Sequence, residues 1–238
     1  MARRLAARLA AAGHAVRWIC PLADGEHEVE PAGVDLRPVV SSTPHFTAVE
    51  DGLCDVPTER AVSVAVRGRL PAVVHHLAFG GGQSANASWV AERLGARVVV
   101  SVDARELLCH RGTLIDQDGQ DCDGWRSEER CAACCLTPYS GGLSEREARR
   151  AGSWWWRLPG VAGWSPYPVP VTFQNRRDLL LGGLLPASEV WINDEAERAR
   201  LVAAAVPEQR LRVVDLADPD AALAGYESVV RQSAAMYG

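Results

Sequence analysis

Lysine is absent from this chain: all 25 basic residues are arginine. That excludes Schiff-base chemistry and a Walker-type phosphate loop, both of which need the ε-ammonium group. No run of basic residues is present either, and the net charge is −5. A nucleic-acid backbone is therefore not the expected partner. No stretch approaches the roughly 20 apolar residues that cross a bilayer. The opening, MARRLAARLAAAG, has too few strongly apolar residues for the core of a secretory signal. A disulfide framework is missing too, because the seven cysteines are odd in number and clustered. These absences lead to the expectation of a cytoplasmic, reduced protein, where clustered thiols favour metal over disulfide.

What is present is ample apolar material. With 238 residues, 47% of them hydrophobic, the chain can bury one large core or two small ones. Residues 2–12 place Leu5 and Leu9 at helical spacing, and Gly13 follows as a helix-ending glycine. Strands are expected at Ala15 to Cys20, Val34 to Val40, Ala72 to Leu77, Arg97 to Asp103, Glu189 to Ile192 and Leu211 to Asp215. The run RVVVSVD is apolar almost throughout, as in a strand covered on both faces. Helices are expected from Ser84 to Leu94, over 144–151, over 172–185, from the Asp194/Glu197 capping-box pair to Ala205, and over 219–236. Residues 60–70 read as a helix or an irregular crossover. The alternation predicts an α/β fold: a Rossmann-like parallel sheet with helices on both faces. Residues 1–217 form the domain, 104–170 are an insert within it, and 218–238 form a helix packing back on it.

The insert holds the densest chemistry. Cys109, Cys122, Cys131 and Cys134 fall within 26 residues, directly after an apolar strand. A tight turn over Cys131-x-x-Cys134 would let both sulfurs bite one ion, and Cys109 and Cys122 would complete a tetrahedron. Four thiolates close a coordination shell, so zinc there would be structural. Its binding would contribute about 10 kcal/mol or more to folding an insert poor in apolar residues. An iron–sulfur cluster is the alternative, and buried or paired thiols the third reading. Cys135 can stand in for Cys134, and His110 is either a substitute ligand or a surface residue. Cys20 and Cys54 read as buried thiols.

Four stretches together resemble the N-terminal, acceptor-side half of a GT-B glycosyltransferase of the family-4 type. These are LAARLAAAGHAVRWIC, AVVHHLAFGGGQSANASWVAERLGARVVVSVD, LLCHRGTLIDQDGQDCDGWRSEERCAAC and ASEVWINDEAERARLVAAAVPEQRLRVVDLAD. The third is similar to the cysteine-bearing insert that a subset of that family carries. The resemblance implies retaining, metal-independent sugar transfer from a nucleotide-sugar to a small or lipid acceptor. It also implies departures. The family's His-Asp dipeptide is Val102-Asp103 here, and the first strand with its glycine-rich loop is missing. After Leu216 the tail resembles the family's closing helix, so the donor-binding domain is missing as well. A partner chain or a dimer would then have to supply the donor side. The sheet edge left by the missing strand is a second reason to expect a protein partner or a homo-oligomer. Glu189 and Glu197 repeat the spacing of two donor-domain glutamates of the family, but flank a strand of the other domain, so the match reads as coincidence.

Asp103 ends a central strand at the carboxyl edge, where open α/β sheets bind ligands. It is the candidate for orienting an acceptor hydroxyl; the alternative is a loop cap. Gly80, Gly81 and Gly82 sit at the same edge and can let a backbone approach a sugar or phosphate, or form a plain turn. His75 and His76 alternate along one strand and face opposite ways, so they cannot be a ligand pair; core roles fit them better. Trp154, Trp155 and Trp156 either stack on an acceptor or cover a core or interface. The Asn86-Ala87-Ser88 sequon lies in an expected helix and is discounted. Two functions follow: an acceptor-side glycosyltransferase domain, or a non-catalytic, metal-stapled binding or accessory module derived from one.

Overall fold

Six parallel strands form two sheets in a computed structural model of the chain, which describes residues 2–22, 28–41, 52–69, 72–79, 83–116, 118–136, 147 and 172–237. β1 (Val16–Leu22) pairs with β2 (Val34–Val40). β3 (Val73–His76), β4 (Arg97–Ser101), β5 (Ala187–Ile192) and β6 (Leu211–Val213) form the second sheet, in that order. Its register sets His75 beside Val99, Val100 beside Val190, and Ile192 beside Val213. This is the α/β architecture that the sequence predicts.

The reason β4 is central lies in its side chains. Val98, Val99 and Val100 are all but fully buried. Because successive side chains point to opposite faces, Val98 and Val100 enter one core and Val99 the other. The first core is roofed by α2 (Val56–Val66), α3 (Ala85–Arg93), α6 (Phe173–Gly182) and α7 (Glu195–Ala203), through Val62, Ala91, Leu180 and Leu201 among others. The second is closed by α1 (Ala2–Ala11) and α8 (Pro219–Tyr237), which bring Leu5, Ala222, Tyr226 and Val229 against Val99 and Trp191. Helices thus cover both faces of the β4–β5 pair.

Helix starts are fixed by side-chain caps. Asp55 accepts from Thr58 N (3.1 Å), and Glu59 returns to Asp55 N (3.1 Å). The segment read as a helix or crossover is therefore a helix that begins at Val56. Ser84 precedes α3 without capping it by its side chain; its hydroxyl instead donates to Glu59 (2.7 Å), tying α3 to α2. Asp194 accepts from Glu197 N (2.8 Å) and opens α7.

His75 and His76 do face opposite ways. His75 lies between Tyr226, which bonds its Nδ1, and Ser101, 2.7 Å from its Nε2. Its ring meets Trp191 edge-on. Burial holds its pKa down to about 3, so it is a neutral core histidine at ordinary pH. No helix among the described residues is long and apolar enough to cross a membrane.

Candidate functional site

Two places carry chemistry: the carboxyl edge of β4 and β5, and a cavity in the insert. Asp103 follows β4 and is the N-cap of a short helix, α4 (Ala104–Leu108). Its Oδ1 accepts from Arg105 N (2.8 Å), and its Oδ2 from the Arg105 guanidinium (2.6 Å). Asp103 thus stands at the carboxyl edge of β4, and its hydrogen bonds are those of the capping alternative.

Beside it stands Glu197, in the first turn of α7. Glu197 is 4% exposed. Its carboxyl accepts from Asn193 N (2.9 Å), and hydrogen-bonds to Asp103. Two carboxyl groups in contact cannot both ionise cheaply, and their surroundings decide which does. Burial pushes the Glu197 pKa up, and the negative charge of Asp103 adds to the push against the hydrogen bonds from Asn193. Burial also works against ionised Asp103, but the Arg105 guanidinium and backbone bonds outweigh it and hold Asp103 below the usual carboxylate range. The two groups are therefore pushed apart, Glu197 upward and Asp103 downward. The partner of Asp103 was marked in the sequence only as a capping residue. Its place in the first turn after β5 puts it at the carboxyl edge, but its contact with Asp103 depends on β4 and β5 being neighbours.

The second place is a cavity of about 40 Å³ whose wall includes Cys109, Cys122, Cys131, Cys134 and Cys135. Three of them lie on a helix, α5 (Glu128–Leu136), not on the tight turn expected for Cys131-x-x-Cys134. Spacings of three and four residues place Cys131, Cys134 and Cys135 on one helix face. Opposite them, Cys109 caps the end of α4, and Cys122 sits in a loop that Gly124 brings against Leu108; a Cβ at Gly124 would stand 3.0 Å from Leu108 O. Glu128 fastens the insert to the domain by accepting from Phe173 N and Gln174 N (both 2.9 Å) at the start of α6, and from Trp125 Nε1 (3.0 Å).

The thiols feel one another. Burial pushes the Cys135 thiol up to about 12, and Cys134, Cys109 and Cys131 add to the shift. Burial likewise raises Cys131, with Cys122 contributing. Arg111 Nη1 lies 3.1 Å from Cys134 Sγ, and that contact raises the Arg111 pKa. Yet among the described residues no three His, Cys, Asp or Glu side chains stand close enough to hold one ion. The sulfurs ring the cavity without converging on a point within it. His110 is buried beside Phe173 and Arg176, and burial lowers its pKa to about 4. Gly80, Gly81 and Gly82, the tryptophan triplet, and most of 144–151 lie outside the described residues.

Compared with protein-family models, curated proteins and solved structures, the chain matches none.

Proposed function

We propose that this chain is a glycosyltransferase-like, acceptor-side domain that presents a sugar or other polyol acceptor at the carboxyl edge of β4 and β5. The observation that carries the reading is the Asp103–Glu197 pair: one carboxyl whose pKa is lowered beside Arg105 and one whose pKa is raised by burial, side by side at a sheet edge. Such a pair both accepts from and donates to hydroxyl groups, which is the chemistry of polyol recognition. Asp103 would orient an acceptor hydroxyl as a hydrogen-bond acceptor, Glu197 would hold it in its charge state, and Arg105 would lie at the mouth. In the family that the chain resembles, donor binding belongs to a separate domain.

The non-catalytic module is the second reading, and a specific observation favours it: both Asp103 oxygens are already engaged by Arg105. In either reading the insert is a stapled element. Zinc on Cys109, Cys122, Cys131 and Cys134 would be structural and would need rotamer changes to draw the sulfurs into one shell; an iron–sulfur cluster is the alternative occupant.

The test is add-back. An extract of cells lacking the chain is given labelled nucleotide-sugars, with and without purified protein. Transfer restored by the wild type and not by Asp103→Asn supports the transferase reading. Restoration by both supports the accessory module, and restoration by neither removes the sugar-transfer assignment.

A further inference from the structure

The thiols of α5 differ in what they touch. Among the described residues, Cys131 and Cys135 pack against the first hydrophobic core, and Cys134 does not. The Cys134 Sγ is held instead by Arg111 Nη1, 3.1 Å away, and donates to Ile115 O at 3.7 Å. Cys134 is therefore the outer sulfur of the helix and Cys131 an inner one. Both belong to regular helix: the Cys131 N–H donates to Ser127 O (3.0 Å), and α5 continues past Cys134 to Leu136.

Because both lie on one helix, the helix alone sets their separation, whatever stands across the cavity. A rise of about 1.5 Å per residue and about 3.6 residues per turn put Cα atoms three positions apart at about 5 Å. That is inside the range of about 4.4–6.8 Å that a disulfide spans. The Cβ atoms of such a pair start about 5–6 Å apart, whereas a disulfide brings them to about 4 Å. Bridging therefore tightens one turn of α5 and leaves the rest of the chain in place. A bond formed against that resistance is readily reduced again.

We propose that Cys134 and Cys131 are a reversible redox pair, in which Cys134 exchanges with a low-molecular-weight disulfide and Cys131 resolves the adduct. In the first step the Cys134 sulfur attacks one sulfur of the small disulfide. The S–S bond of the small molecule breaks as the bond to Cys134 forms, and the departing sulfur leaves as a thiol with the Cys134 proton. In the second step Cys131 Sγ attacks Cys134 Sγ, and the other small thiol leaves with the Cys131 proton. The chain loses two hydrogen atoms, and the small disulfide is reduced to two thiols. An excess of thiol runs both steps backwards. The order follows from placement, the outer sulfur reacting first and the inner one a turn away displacing the adduct. The pair needs no metal, and once bridged it can no longer join Cys109 and Cys122 around one ion.

The probe is oxidised glutathione, added to the intact protein under native conditions. Free thiols are then alkylated and the products located by peptide mass mapping. In the wild type the expected product is a Cys131–Cys134 bridge with no lasting adduct, and dithiothreitol restores both thiols. Cys131→Ser should trap the adduct on Cys134, and Cys134→Ser should slow loss of the Cys131 thiol at least about tenfold. Circular dichroism is compared across the three proteins, and the mapped wild-type product decides the matter where a variant does not fold. A bridge from Cys131 or Cys134 to any other cysteine overturns the proposal. So does an adduct that persists on wild-type Cys134, or two thiols that stay unreacted. Metal content of the same sample is read separately: zinc with an unreactive pair keeps the staple and removes the redox pair, and a bridge without zinc does the reverse.

Discussion

Glu197, in the first turn after β5, stands beside Asp103 at the end of β4, and the two carboxyl groups are shifted in opposite directions, Glu197 up and Asp103 down. The two residues reach this contact from different helix starts, Asp103 as the cap of α4 and Glu197 in the first turn of α7. Each helix N-terminus favours negative charge; Arg105 against Asp103 adds to that preference, whereas the burial of Glu197 opposes it.

The sign of the linkage separates the two groups. Glu197 has a raised pKa in the folded protein, so its contribution is fully present below the unfolded value and is lost as pH rises through the folded one. Asp103 is depressed, so its contribution holds above the unfolded value and is lost as pH falls. Glu197→Gln keeps the donor to Asp103 and the acceptor for Asn193 without an ionisable group. Its melting temperature should exceed that of the wild type at about pH 8, with the difference closing as pH falls into the ordinary carboxyl range. Equal melting at every pH would contradict the raised Glu197 pKa.

Asp103→Asn is expected to fold. Asparagine caps helices as well as aspartate does, and the ion pair with the exposed Arg105 side chain is screened by solvent. Chemical denaturation should show a loss of no more than about 1 kcal/mol. A much larger loss would make Asp103 a structural residue first, and weaken any functional conclusion drawn from the variant.

Gly225 lies against the Trp191 indole. A Cβ there would stand 2.9 Å from the ring carbons Cη2 and Cζ2, and Trp191 is fully buried among His75, Tyr226 and Val99. Gly225→Ala should cost about 1–3 kcal/mol by overpacking, read as a lower denaturation midpoint with an unchanged slope. No loss would mean that α8 sits further from the sheet than described.

The cysteine cavity predicts a metal-dependent insert. Protein purified without oxygen should carry about one zinc per chain, with no visible absorbance, and Cys131→Ser with Cys134→Ser should release it. Because thiols raised by burial must lose protons on binding, uptake should release acid and weaken as pH falls. Iron with visible absorbance would replace zinc by a cluster. No metal at all would leave five thiols around an empty cavity and withdraw the staple.

The strands were the most legible part of the sequence, because the apolar runs RVVVSVD and AVVHHL mark strands of an α/β fold and their alternation sets two faces. The insert was less so. Its CxxC spacing suggested a turn, whereas EERCAACCL has glutamates at its start and alanines within, a helix-forming run, and α5 is what forms. Asp103, three residues before Glu106, has the spacing of a capping box, and α4 starts there. The Asp103–Glu197 contact could not be read from periodicity. It depends on which strands become neighbours, and that is settled by packing between distant segments.

Acceptor binding at the carboxyl edge is the central claim, and backbone amide NMR during titration with a panel of free hexoses and glycerol tests it most directly. Saturable shifts clustered at residues 103–105 and 193–197, lost in Asp103→Asn while the rest of the spectrum is kept, are the predicted result. Shifts confined to other parts of the molecule, or none up to tens of millimolar ligand, a range where even weak millimolar binding would show, would contradict it.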